Sequence, residues 1–275
     1  HHVVDMEDTF QEKVVDYFVR SYAASLTPNP CAVCNQEIKF DLLMNEALFS
    51  HEADFYATGH YAAKKCVDGY CFLTEPEDRT KSQIYFMSLI GPEALEKVLF
   101  PIAEITIDEV RERVKDLPLA NKDESQDVCF LGDKKLMDYL KENLPKAYFR
   151  PGDILDVQGN KIGRHRGAVY FTIGQRRGTG FSSDRKLYVV KKDIHANTIT
   201  LGDDEDLYSD SVTATQPVFW RPLHEGEKLL GKFRYMSRFY HVVIKKVTGN
   251  VIIAEFPEPV LSLTPGQLAA YYDEG

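Results

Sequence analysis

Two cysteine sites stand far apart in this chain. Cys31 and Cys34 form a C-x-x-C pair within Thr27-Pro28-Asn29-Pro30-Cys31-Ala32-Val33-Cys34-Asn35, and a lone Cys129 closes the run Glu124-Ser125-Gln126-Asp127-Val128. A thiolate can attack, carry sulfur, or be resolved by a second thiol through a disulfide. A mechanism that must both transfer and release sulfur would therefore use two separated cysteines. Each site also has a plainer explanation. The pair could be half of a zinc site, but that needs a second cluster, and nearby Cys66 and Cys71 have the wrong spacing. A thioredoxin-like dithiol fits C-x-x-C too, although that motif usually opens a helix and here Pro28 and Pro30 precede it. Cys129 taken alone reads as a small buried hydrophobe between Val128 and Phe130.

The elements that must position these groups begin with a βα pattern. Residues 3–5 read as the end of a strand, and Thr9-x-x-Glu12 as a capping box opening a helix with Phe10, Val14, Tyr17 and Phe18 on one face. Ile38, Leu42, Leu43, Ala47 and Leu48 mark a second amphipathic helix, followed by a strand over 55–57 that ends at Thr58-Gly59-His60. The alternation implies a parallel α/β sheet, in which ligands bind beyond the carboxyl ends of the strands. Gly59 would let a nucleotide approach the backbone there, or is simply a strand-ending turn. Asp68-Gly69 predicts a hairpin over 61–74 with Cys66 opposite Cys71, expected as ordinary side chains without a role. Thr106-x-x-Glu109 is a capping box for a helix to about residue 115, and a further helix is expected over 134–143. Beyond Pro145 the pattern is short strands and glycine turns, an acidic linker over 203–209, then strands over 212–219, 228–235, 240–247 and 251–256. A small β-barrel is the expected solution, because closure removes exposed edges.

The 275 residues are 44% hydrophobic and 27% charged, enough for two or three domains with real cores. No apolar run reaches membrane-spanning length and His1-His2-Val3-Val4-Asp5 lacks the regions of a signal peptide, so the reading is cytoplasmic with no membrane partner. Five cysteines, an odd number, do not make a secreted disulfide framework. A net charge of -9 argues at first against nucleic acid. Its distribution argues the other way: residues 145–192 carry +8 and residues 231–246 carry +5. Solvated loop charge explains this as well as a nucleic-acid footprint does. Gly163-Arg164-His165-Arg166-Gly167 and Tyr170 to Gly178 mix arginines, aromatics and glycines, which suits phosphate and ribose contact. Arg234-Tyr235 with Arg238 and Tyr240 repeats the theme, with core tyrosine the alternative.

Five motifs, in order, give the chain a specific resemblance. Asn29 to Phe40, Ala57-Thr58-Gly59-His60-Tyr61, Glu124 to Phe130, Tyr170 to Gly180 and Thr264-Pro265-Gly266-Gln267 resemble the tRNA-specific 2-thiouridylases along essentially the whole chain. The resemblance implies an α/β domain, a partial Rossmann-like fold of the adenine nucleotide α-hydrolase type, over 1–133. A small β-rich central tRNA-binding domain over 134–207 and a C-terminal β-barrel over 208–275 would follow. It also implies ATP-dependent thiolation of C2 of the wobble uridine, with Mg²⁺, the anticodon stem-loop of tRNA as substrate and a persulfide sulfur-donor protein as partner. Cys129 would carry the persulfide and Cys34 would be the second catalytic thiol, forming a disulfide with Cys129 as sulfur is released. Gly59 would contact nucleotide. Asn29, Pro30, Cys31, His60, Lys81, Ser82, Gln83, Arg234, Tyr235 and Gln267 would contact tRNA.

The chain departs from the family pattern at three places. Many members have Asp at Cys31 and Lys-Asp-Gln at Lys81-Ser82-Gln83. The family's Ser-Gly-Gly-Val-Asp-Ser-like pyrophosphate loop is absent, as if a first βα unit of at least roughly thirty residues were missing. The expectation is a fragment, inactive as it stands. The rival expectation is a non-catalytic RNA-binding protein with structural or zinc-bound cysteines.

Overall fold

A computed structural model of the chain describes residues 1–118 and 128–273, so Glu124-Ser125-Gln126-Asp127 lie outside the described residues. The chain passes repeatedly between two compact units, one built from residues 1–14, 30–129 and 216–223, the other from 15–29, 130–215 and 224–275.

In the first unit no strand forms over 3–5, and helix begins at Glu7, so Thr9 and Glu12 fall inside it rather than capping it. The reason is local. The Asp5 carboxylate accepts the Glu7 N–H at 3.0 Å, and Glu7 and Asp8 place negative charge on the first turn, so the helix starts one turn before the expected box. The second helix runs from 30 to 50, burying Ala32, Ile38, Phe40 and Met44. Strand β1 (Tyr56–Ala57) follows and pairs in parallel with β4 (Val98–Leu99), the parallel register the βα pattern implies. Between them β2 (Ala63–Val67) and β3 (Tyr70–Thr74) form the hairpin that Asp68-Gly69 predicts, both turn residues taking positive φ. Lys64 on β2 donates to the carbonyls of Leu95, Glu96 and Val98 at 3.0, 3.0 and 2.8 Å, satisfying the end of helix Pro92–Lys97 and tying hairpin to β4. Helix Ile107–Val114 opens on the predicted Thr106 and Glu109 box. The expectation that Cys66 and Cys71 are plain side chains is corrected: the register pairs them directly and they are joined as a disulfide.

In the second unit helix Leu136–Asn143 forms as expected. The β-rich part is two sheets. Strands β5 (Gly152–Leu155), β6 (Lys161–His165), β7 (Tyr188–Asp193) and β8 (Thr198–Gly202) lie in the order β6-β5-β8-β7 over buried Ile154, Val189, Ile199 and Leu201. Strands β9 (Tyr208–Thr215), β10 (Lys228–Lys232), β11 (Tyr240–Val247), β12 (Val251–Leu261) and β13 (Ala270–Tyr272) form a five-stranded antiparallel sheet in the order β13-β10-β11-β12-β9, over Val242, Ile244, Ala254 and Val260. The expected linker over 203–209 is shorter than read, because Leu207 is buried and β9 starts at Tyr208. The expected strand over 212–219 stops at Thr215, where Gln216 turns to φ +54. Residues 216–223 belong instead to the first unit, where Trp220 Nε1 donates to the Ile90 carbonyl at 2.6 Å.

Candidate functional site

The helix over 30–50 carries the C-x-x-C pair on its first turns. Pro30 is its first residue, and proline is tolerated there because the N–H it lacks would have had no intrahelical partner. The proline that argued against a helix-opening dithiol therefore starts the helix, and that expectation is corrected. Cys31 and Cys34, three residues apart, share a helix face. Asn35, buried beside them, donates its side-chain N–H to the Phe86 carbonyl at 2.9 Å and fixes the helix rotation. Cys31 is exposed, Cys34 half-buried, and both are free thiols.

Cys129 is also a free thiol, and it is exposed on the turn Cys129–Leu131, whose buried residue is Leu131. The reading of Cys129 as a buried hydrophobe is corrected. All three thiols belong to the first unit, and they lie within electrostatic reach of one another. Burial pushes the Cys31 thiol up, the Cys129 sulfur adds to that, and Lys39 opposes it. Burial likewise raises Cys34, Lys39 opposes, and Cys129 and Cys31 raise it further. Cys31 keeps exposed surface and is nonetheless desolvated, as expected where the accessible side of a thiol faces neighbouring protein rather than bulk water.

Lys39 is a group to which sequence reasoning gave no role. From Cys34 to Leu42 the helix is wound as a π-helix. Bonding from i to i+5 brings residues five apart nearly over one another, where an α-helix would turn them well aside. The winding so carries Lys39 round toward the face of Cys34. Its charge also reaches His60, whose pKa falls to about 4, first through burial and then through Lys39. The ring of His60 packs on Phe40 at 5.3 Å, and its Nδ1 shares a 2.7 Å hydrogen bond with the Thr58 hydroxyl. His60 is therefore a neutral imidazole at physiological pH.

Gly59 sits exposed just past β1. Among the described residues no protein atom lies within 4 Å of where its Cβ would be and its φ is not positive, so none of them requires glycine there. Gln83 clamps Tyr61, two residues on: its Oε1 accepts from the Tyr61 N–H, and its own backbone N–H donates to the Tyr61 carbonyl, both at 2.9 Å. The Ser82 hydroxyl is buried with no hydrogen-bond partner, beside the 3₁₀ turn Arg79–Lys81. A shallow groove of about 420 Å³ runs along another flank of the thiol helix, past Gln36, Phe40, Met44 and Ile90, and contains none of the thiols. Among the described residues no group of three or more His, Cys, Asp or Glu is placed to hold a metal ion.

The second unit holds the remaining candidates. Asn29 is buried, with its backbone hydrogen-bonded to Tyr17. Gln267 donates to the Thr27 carbonyl at 2.8 Å and, more weakly, to that of Pro28. Gly266 has φ +94, and a Cβ on it would meet Leu26 and Thr27 at 2.8 Å. The Thr264 to Gln267 turn thus grips the segment ahead of Asn29. Arg234 donates to the Ser262 carbonyl and to the Thr264 hydroxyl, holding the start of the same turn. Tyr235 lies under Lys232, 5.8 Å from the ring centroid, and Lys232 also stands 5.2 Å from Phe239. Arg238 covers Tyr240 at 5.1 Å and Arg166 covers Tyr170 at 4.6 Å. Of the cations and aromatics read from the sequence, Arg238 pairs with Tyr240 and Arg166 with Tyr170, while Tyr235 pairs with Lys232 and Arg234 turns to Ser262 and Thr264.

Three family models cover the chain. The tRNA methyl transferase HUP domain matches residues 1–133, the tRNA methyl transferase PRC-barrel domain 137–203, and the aminomethyltransferase beta-barrel domain 209–275. Among curated relatives, tRNA-specific 2-thiouridylase MnmA 1 of Fusobacterium nucleatum is 38% identical, over 99% of this chain and 76% of its own length. The tRNA-specific 2-thiouridylase MnmA of Persephonella marina is 37% identical over 99% of this chain and 78% of its own length. That of Halothermothrix orenii is 38% identical over 99% and 77%.

Proposed function

The chain belongs to the tRNA-specific 2-thiouridylase family, and on that premise we propose that it replaces the C2 oxygen of the wobble uridine of tRNA with sulfur, Cys129 carrying the sulfur and Cys34 releasing it. The observation that supports this reading is that Cys34 and Cys129, 95 positions apart in sequence, are free thiols in one unit and within each other's field.

The chemistry follows from the thiols. A persulfide on Cys129, delivered by a donor protein, holds an outer sulfur that leaves as hydrosulfide only when a second thiol reduces it. Cys34 thiolate attacks the inner sulfur, the Cys34 to Cys129 bond forms, and hydrosulfide leaves to attack C2 of the uridine. The two electrons that reduce the transferred sulfur come from Cys34, and the disulfide left behind must be reduced before the next turnover. ATP with Mg²⁺ would supply the adenylyl group that makes the uridine O2 a leaving group. Of the residues present, Gly59 fits a nucleotide's approach, since a side chain there meets no atom of the described residues; the sequence of this chain contains no loop of the Ser-Gly-Gly-Val-Asp-Ser type for the phosphates.

Neutral His60 offers an uncharged hydrogen bond to a turned-out base without repelling or attracting phosphate, while Ser82, its hydroxyl buried, would shape the turn that presents Lys81 to tRNA. Pro30 and Cys31 stand at the same helix end as Cys34, where an extruded uridine would meet the sulfur. Lys81 suits a phosphate. In the second unit, the exposed Arg238 and the Lys232, Tyr235 and Phe239 group suit phosphate and base stacking, while Asn29, Arg234 and Gln267 shape the backbone around them. The proposed division of labour is a catalytic domain over 1–133 with tRNA-binding domains over 134–207 and 208–275, working in the cytoplasm. No helix among the described residues is long and apolar enough to cross a membrane.

The test is Cys129→Ser in the protein expressed from its complete reading frame. Thiolated tRNA, read by mercury-gel retardation, should fall to background while tRNA binding stays within about twofold. Unchanged thiolation would refute the reading. Stoichiometric zinc lost on replacing Cys34 would favour a structural role for the cysteines instead.

A further inference from the structure

The family chemistry needs two thiols, and this chain places a third beside them. Cys31 shares the exposed face of the helix start with Cys34, at the i, i+3 spacing of a helix-opening dithiol, and the field of Cys129 reaches both. We infer that Cys31 is a built-in resolving thiol, which attacks the Cys34 sulfur of the Cys34 to Cys129 disulfide and moves that disulfide onto the Cys31 and Cys34 pair, freeing Cys129. This rests on the sulfur-transfer reading above and deepens it.

The exchange balances without an outside reagent. Cys31 gives up its proton, its thiolate bonds to the sulfur of Cys34, and the Cys34 to Cys129 bond breaks. Cys129 leaves as thiolate and takes a proton, so one disulfide replaces another with no net oxidation. The result is a free Cys129 that can accept a new persulfide before any reductant reaches the site. Reduction then falls on a disulfide at the exposed end of a helix.

Three features of the chain favour this direction. Cys31 is the exposed member of the pair, so it can approach from the solvent side and meet an external dithiol afterwards. The first helical turn has backbone N–H groups with no intrahelical acceptor, so it can tighten to disulfide distance without breaking bonds. Cys66 and Cys71 are already bonded to each other and offer no competing thiol.

The experiment uses the protein without tRNA, so its failure is separate from failure of the thiolation assay. The protein, with its Cys66 to Cys71 bond intact and Cys31, Cys34 and Cys129 as free thiols, is treated with one equivalent of diamide, quenched in acid at successive times, alkylated and mapped by mass spectrometry. The expected end state is a Cys31 to Cys34 disulfide with Cys129 alkylated, reached from an early Cys34 to Cys129 species. In Cys31→Ser, and in Cys31→Ala as a second variant, Cys34 to Cys129 should be the end state, with alkylation of Cys129 roughly tenfold lower. A wild-type end state of Cys34 to Cys129 with Cys31 alkylated would overturn the inference, as would a Cys31 to Cys129 pair. Unchanged far-UV circular dichroism in both variants keeps either outcome interpretable.

Discussion

The first unit contains two cysteine pairs that differ in what the backbone does with them. Cys66 and Cys71 face each other across the β2 and β3 hairpin and are bonded. Cys31 and Cys34 stand on successive turns of a helix and are free. A hairpin holds opposite Cβ atoms within reach of a single bond, so its pair can be joined without any backbone movement. A helix holds residues i and i+3 a little too far apart and leaves one of them exposed, so its pair stays available for exchange. Proximity in sequence, nearly the same in the two cases, separates neither the bonded pair from the free one nor the structural pair from the reactive one.

The sharpest way to break this comparison is to remove one thiol from each pair. Cys34→Ser should lower thiolation by at least about a thousandfold with no measurable change in unfolding free energy, because only the sulfur chemistry is lost. Cys66→Ser should do the reverse, costing about 2 kcal/mol for a loop that spans a sequence separation of 5, with thiolation kept within a few-fold. Urea denaturation and a thiolation assay on the same two variants read both effects. If Cys66→Ser abolished thiolation while leaving stability intact, the assignment of one pair to structure and the other to chemistry would fail.

What the sequence revealed of these regions follows the same division. Asp68-Gly69 fixed the hairpin and the pairing of Cys66 with Cys71, since a two-residue turn sets register. Whether the two sulfurs bond depends on the redox surroundings, which the register does not encode. The Thr106 and Glu109 box was legible because both partners lie within one turn. The π winding over Cys34–Leu42 was not, because apolar spacing over nine residues is too short to separate π from α periodicity. With it went the place of Lys39. The resemblance implies tRNA contacts for Gln267 and Arg234, and what it did not show is that each also donates to a main-chain carbonyl of its own chain. Those partners lie 240 and 28 positions away, distances over which residue type carries no pairing signal.

A smaller effect tests the surroundings of the reactive helix. His60 titrates near 4 in the folded chain against an ordinary 6.5, so between these values the unfolded chain binds a proton that the folded chain refuses. Stability should fall as pH drops from 6.5 toward 4, by about 2 kcal/mol once the solvent that still reaches the ring is allowed for. His60→Gln should flatten that part of the urea-midpoint profile. An unchanged slope between pH 6.5 and 4 would place the burial penalty elsewhere. The burial-shifted group on the Cys66 to Cys71 hairpin is Lys64, a lysine lowered from an ordinary value far above this window, so Cys66→Ser should leave the same slope in place.

The smallest effect comes from Lys39, and it isolates what the π winding contributes. Its charge holds down the thiols of Cys31 and Cys34 against burial, and it also holds down His60. In Lys39→Met all three should titrate higher, because an ammonium favours thiolate and disfavours imidazolium. Less thiolate at pH 7 means slower alkylation of Cys34, by roughly twofold to tenfold, with the pH-rate profile displaced upward. Lys39→Arg should retain most of the wild-type rate if charge is the cause. Equal slowing in Met and Arg variants would assign Lys39 to packing alone, and the reactive pair would then owe its behaviour to exposure at a helix end rather than to a cation brought round by the winding.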